Sequence, residues 1–249
     1  MKKLNFIIKC GLALLLLSFY SCESWLNVTP SDRLSEEMLF NDREGFVKAL
    51  NTNELYGRNL TAGALDVMGQ YYSVASSSHA FYNYGGLVYT GNDEKALFDN
   101  MWQKCYAVIA CCNTIIEKCD ENKAGLSPVW RGSIKGEALA LRAMLHFDML
   151  RLFGPLTSEL DKESIPYQTN SDQTVTPLLS GSEVVGLILD DLKNAVGLLK
   201  DTDPYFVEEE FSDTDLNYRR FRMNYFAAKG LMARVQLWGG DKEKDAATA

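Results

Sequence analysis

The sequence predicts a mainly α protein built from helix-turn-helix repeats joined by long irregular loops. Apolar residues recur at helical steps in several separate stretches, small residues line the seams between them, and strand-like alternation is weak throughout. The clearest stretch runs from Trp102 to Pro155. Trp102, Tyr106, Ile109, Asn113 and Ile116 fall on one helix face, and Ile134, Ala138, Leu141, Leu145 and Leu152 mark a second helix. Alanines at 138, 140 and 143 let two backbones approach while Trp102, Tyr106, Met144 and Phe147 fill the wider gaps. Gly154 and Pro155 are expected to end the second helix, the glycine as a left-handed stop.

Residues 1–21 carry Lys2 and Lys3, an apolar run around Leu12 to Leu17, and small Ser21 before Cys22, the three regions of a secretory signal in order. The apolar core is shorter than the ~20 residues that a spanning helix needs. Cysteine directly after a small residue is a lipobox arrangement, so Cys22 is the expected lipidation site; ordinary signal cleavage beside a chance cysteine is the alternative. Residues 22–40, with Pro30 among turn formers, read as a tether, and 41–249 as the helical-repeat domain. Loss of the signal removes three lysines and no acid, leaving 22 basic against 33 acidic residues, or −11. Such a field repels nucleic acid and acidic polymers, and neutral ligands fit it better.

Within the domain, Asn41 with Glu44 offers a capping box ahead of Phe46, Val47, Leu50 and Leu55. Residues 61–92 are rich in glycine, serine and tyrosine and read as a long irregular loop, and 156–179 as a second. Ser180 with Glu183 caps a helix whose inner face is Val185, Ile188, Leu192, Val196 and Leu199. A polar insertion at 203–217 precedes a last helix at 224–238. The letters after Trp238 look like the first turns of a further helix without a partner, so the chain is expected to stop within a repeat and to be marginally stable.

The letters WQKCYAVIACCNTII at 102–116 and GEALALRAMLHFDMLRLFGPL at 136–156 resemble the tetratricopeptide-type core of the SusD/RagB family of outer-membrane nutrient-binding lipoproteins. Glu183, Val184, Ile188, Asp190, Asp191, Leu192, Ala195 and Leu199 resemble the family's next helix, and AAKGLMARVQLWGGD at 227–241 the one after. The resemblance implies a SusD-like fold and a lipid anchor in the outer membrane facing the exterior. It also implies a role in binding oligosaccharides and delivering them to a TonB-dependent (SusC-like) transporter. Family members are longer, which implies an amino-terminal portion, incomplete at its carboxy end. Glu137 and Arg142 resemble family helix positions and are assigned to structural pairing or capping, not chemistry.

Catalytic, metal and cofactor chemistry find little support. Cys105, Cys112 and Cys119 are spaced roughly 10 Å apart per step on a helix, beyond the ~7 Å reach of a disulfide, and cannot converge on one metal. They and Cys111 read as small packing residues. His146 is expected at a helix surface or groove, with no nucleophile motif near it or His79. Asp190 with Asp191 and the run Glu208 to Glu210 read as solvated acids.

Binding has one candidate. The loop from Tyr71 to Tyr89 interleaves Tyr71, Tyr72, Phe81, Tyr82, Tyr84 and Tyr89 with Asn83, serines and glycines. Flat rings accept the C–H face of a pyranose while amides and hydroxyls meet its hydroxyl groups. Tyr82, Asn83, Tyr84 and Tyr89 are therefore the expected ligand contacts; the competing reading is that these rings fold the loop onto the helices. Three further functions stand beside oligosaccharide capture: peptide binding on the same fold, a scaffold that binds only proteins, and a glycoside hydrolase with paired carboxylates.

Overall fold

The computed structural model describes residues 36–51, 60–172, 174–207, 211–212 and 219–239. The signal, Cys22, Leu55, most of the tether, Glu208 to Glu210 and the residues after 239 lie outside the described residues. Two compact units are present, 1–39 and 40–249. In the first, the described part is the short helix α1, Glu36–Leu39.

The second unit begins with α2, Arg43–Asn51. Its first turn is capped by Asp42, whose carboxylate accepts from the Gly45 amide at 2.9 Å, in place of the expected Asn41 and Glu44 box. A π-helical turn at Leu60–Leu65 runs into α3, Asp66–Met68, and α4 comes next at Tyr82–Gly85. The first irregular loop is therefore punctuated by helical turns. Two long helices succeed it: α5, Asn92–Glu121, and α6, Pro128–Phe153. Asn122, left-handed at φ 46°, ends α5 and bonds Leu126 through both its amide nitrogen and its oxygen. Ser127 then caps α6, with Pro128 in its first turn. Strand β1, Glu163–Pro166, pairs antiparallel with β2, Leu178–Ser180, so the second loop holds a small sheet that the weak strand signals concealed. Helix α7, Gly181–Thr202, opens on the expected Ser180 and Glu183 capping box, and α8 spans Tyr225–Gly239 with Asn224 accepting from the Ala227 amide.

Helix α6 is the spine. It packs against α5 and α7, and α8 lies chiefly on α7, so the fold is mainly α as the pattern predicts. Gly136 lets α6 and α7 approach closely: a Cβ there would sit 2.8 Å from Leu199 Cγ. Gly154 ends α6 in extended backbone at φ −86°, not as the left-handed stop expected. Its glycine serves close approach instead, since a Cβ would clash with the Leu150 carbonyl. Of the expected face of α5, Ile109 and Asn113 are fully buried while Trp102, Tyr106 and Ile116 are half-buried, and Met101, Cys105, Cys112, Ile115 and Cys119 complete the buried seam. On α7 the buried row is Val184, Ile188, Leu192, Ala195 and Leu199; Val185 and Val196 are half-buried.

Two buried arginines bind these elements together. Arg142 on α6 makes a forked pair with Asp191 on α7, at 2.7 Å and 2.6 Å, and donates to Asn113 on α5 at 2.8 Å. Asn113 in turn donates to the carbonyls of Gln168 and Asn170, and the Tyr167 hydroxyl donates to Asp191 at 2.6 Å. Arg219 pairs with Asp203 at 2.7 Å and Glu137 at 2.6 Å, and Glu137 also accepts from Arg222 at 2.8 Å. Glu137 and Arg142 thus have the pairing roles the sequence assigned. Asp191 is not the solvated acid expected of it.

His146 is fully buried, contrary to the surface or groove position expected. Its Nε2 accepts from the Gln168 amide at 3.0 Å, so the proton sits on Nδ1 and is donated to the Arg142 carbonyl at 3.0 Å. The ring stacks on Tyr167 with centroids 3.9 Å apart. Burial pushes its pKa from 6.5 down to about 3. The unfolded chain therefore takes up a proton on this residue as pH falls through 6.5 while the folded chain does not until about 3. Stability is lost across that window, by at most about 1.4 kcal/mol per pH unit from this group. Urea unfolding of wild type and His146→Gln at pH 7, 5.5 and 4 should show the stability difference between them narrowing towards acid. Parallel curves would contradict the buried neutral imidazole.

Candidate functional site

The tyrosine-rich loop is built outward from a small core of its own. Ala64, Val67 and Tyr84 are buried together, with Phe81, Tyr89 and Phe98 packed around them. Tyr84 is 3% exposed, and its ring meets those of Phe81, Tyr89 and Phe98 at centroid distances of 6.1, 6.3 and 6.2 Å. Burial, followed by the charges of Glu94 and Asp93, raises the Tyr84 phenol above its ordinary pKa. This ring supports the loop from beneath, so the expectation that Tyr84 faces a ligand is corrected by its burial. Tyr89 is half-buried, edge-on to Phe98 at 5.5 Å. Tyr82 is 42% exposed and Asn83 is exposed beside it. The Asn83 amide donates to Glu94 Oε1 at 2.8 Å, tying α4 to the first turn of α5 and holding the Glu94 carboxyl below its ordinary pKa.

Left-handed backbone shapes the loop at two residues other than glycine. Gln70, at φ 60°, turns the chain after α3 and donates its amide to the carbonyls of Val67 and Gly85. Leu87, at φ 55°, does the same after α4 and leaves its side chain exposed. Such conformations cost of order 1–3 kcal/mol and persist where surroundings enforce them. The turn at Gln70 delivers Tyr71, 82% exposed, and Tyr72, whose hydroxyl donates to the Gly63 carbonyl at 3.4 Å.

Next to this turn lies a cavity of about 600 Å3 between the 65–71 segment, α5, α6 and α8. Asp66, Tyr71, Asp148, Arg151 and Arg234 line it with an apolar set including Met68 and Met101. Sequence reasoning named only Tyr71 of these, because the others reach the cavity from elements far apart in the chain.

The remaining candidates for chemistry are part of the framework. Cys105, Cys112 and Cys119 are buried and Cys111 is half-buried, and the described residues show no disulfide among the four. Burial pushes the thiols of Cys112 and Cys119 up to about 12, which suits packing and removes them as nucleophiles. Among the described residues no cluster of His, Cys, Asp or Glu could hold a metal ion. No described helix is long and apolar enough to cross a membrane.

Comparison with known proteins agrees with this architecture. Residues 24–237 match a SusD-like family model described as starch-binding and associating with the outer membrane, so the chain belongs to the SusD-like family. A curated SusD-like protein of Formosa agariphila is 29% identical over 195 residues, 70% of this chain and 34% of that protein. Another from Bacteroides ovatus is 30% identical over 146 residues, 57% of this chain and 23% of the relative. This chain therefore spans about a third or less of these curated relatives. Among solved structures, a SusD-like carbohydrate-binding protein from Bacteroides vulgatus superposes with a TM-score of 0.63 at 23% identity, covering 82% of this chain and 43% of its own. A laminarin-binding SusD-like protein gives a TM-score of 0.56 at 19% identity, over 84% of this chain and 40% of its own.

The two tyrosines of α4 should separate cleanly on substitution. Tyr84→Ala empties the small core and should cost about 3 kcal/mol of unfolding free energy, whereas Tyr82→Ala should stay within about 0.5 kcal/mol. Equal losses in chemical denaturation would contradict the burial difference.

Proposed function

We propose that this chain is a surface-anchored binding protein that captures neutral oligosaccharide and passes it to a TonB-dependent, SusC-like transporter. Membership of a family described as starch-binding supports the ligand class. The observation that carries the reading is the exposed ring set of the 71–89 loop, with Tyr71, Tyr72 and Tyr82 outward, Asn83 among them and Tyr89 at the margin. The rings offer stacking faces to pyranose C–H groups, and the neighbouring amide and hydroxyls meet sugar hydroxyl groups. Cys22 carries the lipid, residues 22–40 form the tether, and 41–249 form the binding domain, outside the cell at the outer membrane. Two acyl chains suffice for stable anchoring.

Calorimetry on the full chain in detergent micelles should give binding heat with maltoheptaose or laminarihexaose. Joint alanine substitution of Tyr82 and Tyr89 should weaken it at least tenfold, about 1.4 kcal/mol. Heat with unrelated peptides and none with either glucan would replace the ligand class. In cells fed labelled palmitate, wild type should take up label, Cys22→Ala should not, and crosslinking should recover a TonB-dependent barrel with the wild type. Label retained on Cys22→Ala, or no barrel among the crosslinked species, would refute the anchor or the partner respectively.

A further inference from the structure

Helix α8 is apolar on two faces, and one of them is open. Ala228, Leu231 and Val235 are buried, on the side where α8 lies on α7. On the opposite side Phe226, Gly230, Ala233 and Leu237 recur at steps of four, three and four and are all exposed, Phe226 by 58% and Leu237 by 79%. A helix with apolar residues on both sides is normally enclosed on both. The outer row begins in a fixed cluster of rings, with Phe226 at centroid distances of 5.4, 5.9 and 5.9 Å from Tyr225, Tyr205 and Phe206. Asp203 pins that cluster, since its carboxylate accepts from the amides of Tyr205 and Tyr225 at 3.0 and 2.9 Å.

The open row is palindromic in size. Phe226 and Leu237 stand about 16 Å apart along the axis at ~1.5 Å per residue, with the two smallest side chains, Gly230 and Ala233, between them. Glycine weakens a helix interior relative to alanine, and among the described residues nothing lies within 4 Å of where a Gly230 Cβ would be. No contact among those residues calls for glycine there. Bare backbone at the centre of the row does let another helix approach closely, while large side chains at the ends fill the gap as two crossing axes diverge. Residues 240–249, GDKEKDAATA, carry no aromatic or large aliphatic side chain with which to cover the row.

We propose that the outer face of α8 is a self-association surface, on which a second copy of this chain docks antiparallel about a twofold axis level with Leu231 and Met232. In such an isologous contact one patch serves both partners. Phe226 faces Leu237 of the second copy, Gly230 faces Ala233 of the second copy, and both pairs recur across the axis. Charge selects this orientation. Residues 219–239 hold five basic side chains and no acid, and the two on α8, Lys229 and Arg234, flank the row on opposite sides. In an antiparallel pair each flank meets its own counterpart, so Lys229 lies beside Gln236 and Arg234 beside Ala227 of the second copy. A parallel pair would set the Lys229 flank against the Arg234 flank and oppose like charges. Cation–π contacts with Tyr225 and Phe147, at 5.9 and 5.8 Å, hold Lys229 and Arg234 against their own chain and away from the axis. The surface makes no use of the ligand loop, so it stands apart from the glycan reading.

Analytical ultracentrifugation of the full chain in density-matched micelles reads this association without any ligand, with circular dichroism checking the fold of each variant. Wild type should sediment as a concentration-dependent mixture of one and two chains per complex. Phe226→Glu and Leu237→Arg should each raise the dissociation constant at least tenfold. Mixed in equal amounts the two variants should pair again, since one end then sets carboxylate against guanidinium and the other keeps phenylalanine against leucine. Gly230→Ala should raise the thermal midpoint of the single chain and yet weaken the dimer at least threefold, because the added methyl group favours the helix and fills the space for close approach. Wild type that remains a single chain at every concentration overturns the proposal. A dimer that survives both end substitutions lies on another face and overturns it too. Loss in both variants without recovery on mixing excludes the antiparallel register.

Discussion

The forked pair between Arg142 and Asp191 is the constraint on which the rest of this structure depends. It joins α6 to α7, and its neighbours Asn113 and Tyr167 bring in α5 and the segment that leads from β1 towards β2. A buried charge is tolerable only when its partners are complete; removing one strands the other at a cost of about 3–5 kcal/mol. Completeness here needs the carbonyl of Thr169 as well, which accepts from Arg142 at 3.3 Å. The irregular 167–170 segment is thereby ordered by side chains from three helices, without regular secondary structure of its own. Arg219 repeats the device at another point along α6, where Glu137 and Asp203 hold the approach to α8. The last helix is thus oriented from its first residue, Tyr225, whose amide also donates to Asp203.

Legibility in the sequence tracks the range of the forces involved. Capping at Ser180 and Glu183 is decided within four residues, and the structure reproduces it bond for bond. Apolar periodicity placed α5, α6, α7 and α8, but their buried rows sit one position round from some of the rows read, because α6 is covered on almost every side and its neighbours take up whatever angle the packing allows. The β1 and β2 pairing was invisible: strands of four and three residues, twelve apart at their nearest ends, carry too few residues for alternation to show. Asp191 could not be told from Asp190 as a buried acid, since only the position of Arg142 across the interface distinguishes them. The loop showed its composition but not its orientation. Six rings within nineteen residues were certain to include some that fold inward, and Tyr84 does so because α4 turns it towards Val67 and Ala64.

Rigid helices and a strained loop divide the work. The loop is anchored at its base by Tyr84 and at its flank by the Asn83 and Glu94 contact, and its two left-handed residues, Gln70 and Leu87, redirect the chain as it leaves α3 and α4. Strain of this kind is stored where a scaffold over-determines the backbone. Its effect is to expose Tyr71 beside the α5, α6 and α8 surfaces while the ring's own backbone stays pinned, so a flat ligand would meet a platform already in place. Preorganisation of that sort lowers the ordering cost of binding more than it adds contacts.

The titratable groups that the fold perturbs most belong to the framework. His146 has both ring nitrogens engaged, Cys112 and Cys119 are pushed up to about 12, and Tyr167 is raised by burial and by the Asp191 charge it bonds. General acid–base work needs a perturbed group within hydrogen-bond reach of a substrate, and these are enclosed by protein. The one perturbed carboxyl beside the loop, Glu94, is shifted downward by Asn83, which keeps it ionised and unable to protonate a leaving group. By contrast the cavity gathers polar groups whose charges offset one another and one exposed ring, Tyr71. The residues whose titration the fold perturbs most are thus separated from the polar groups that line the accessible cavity.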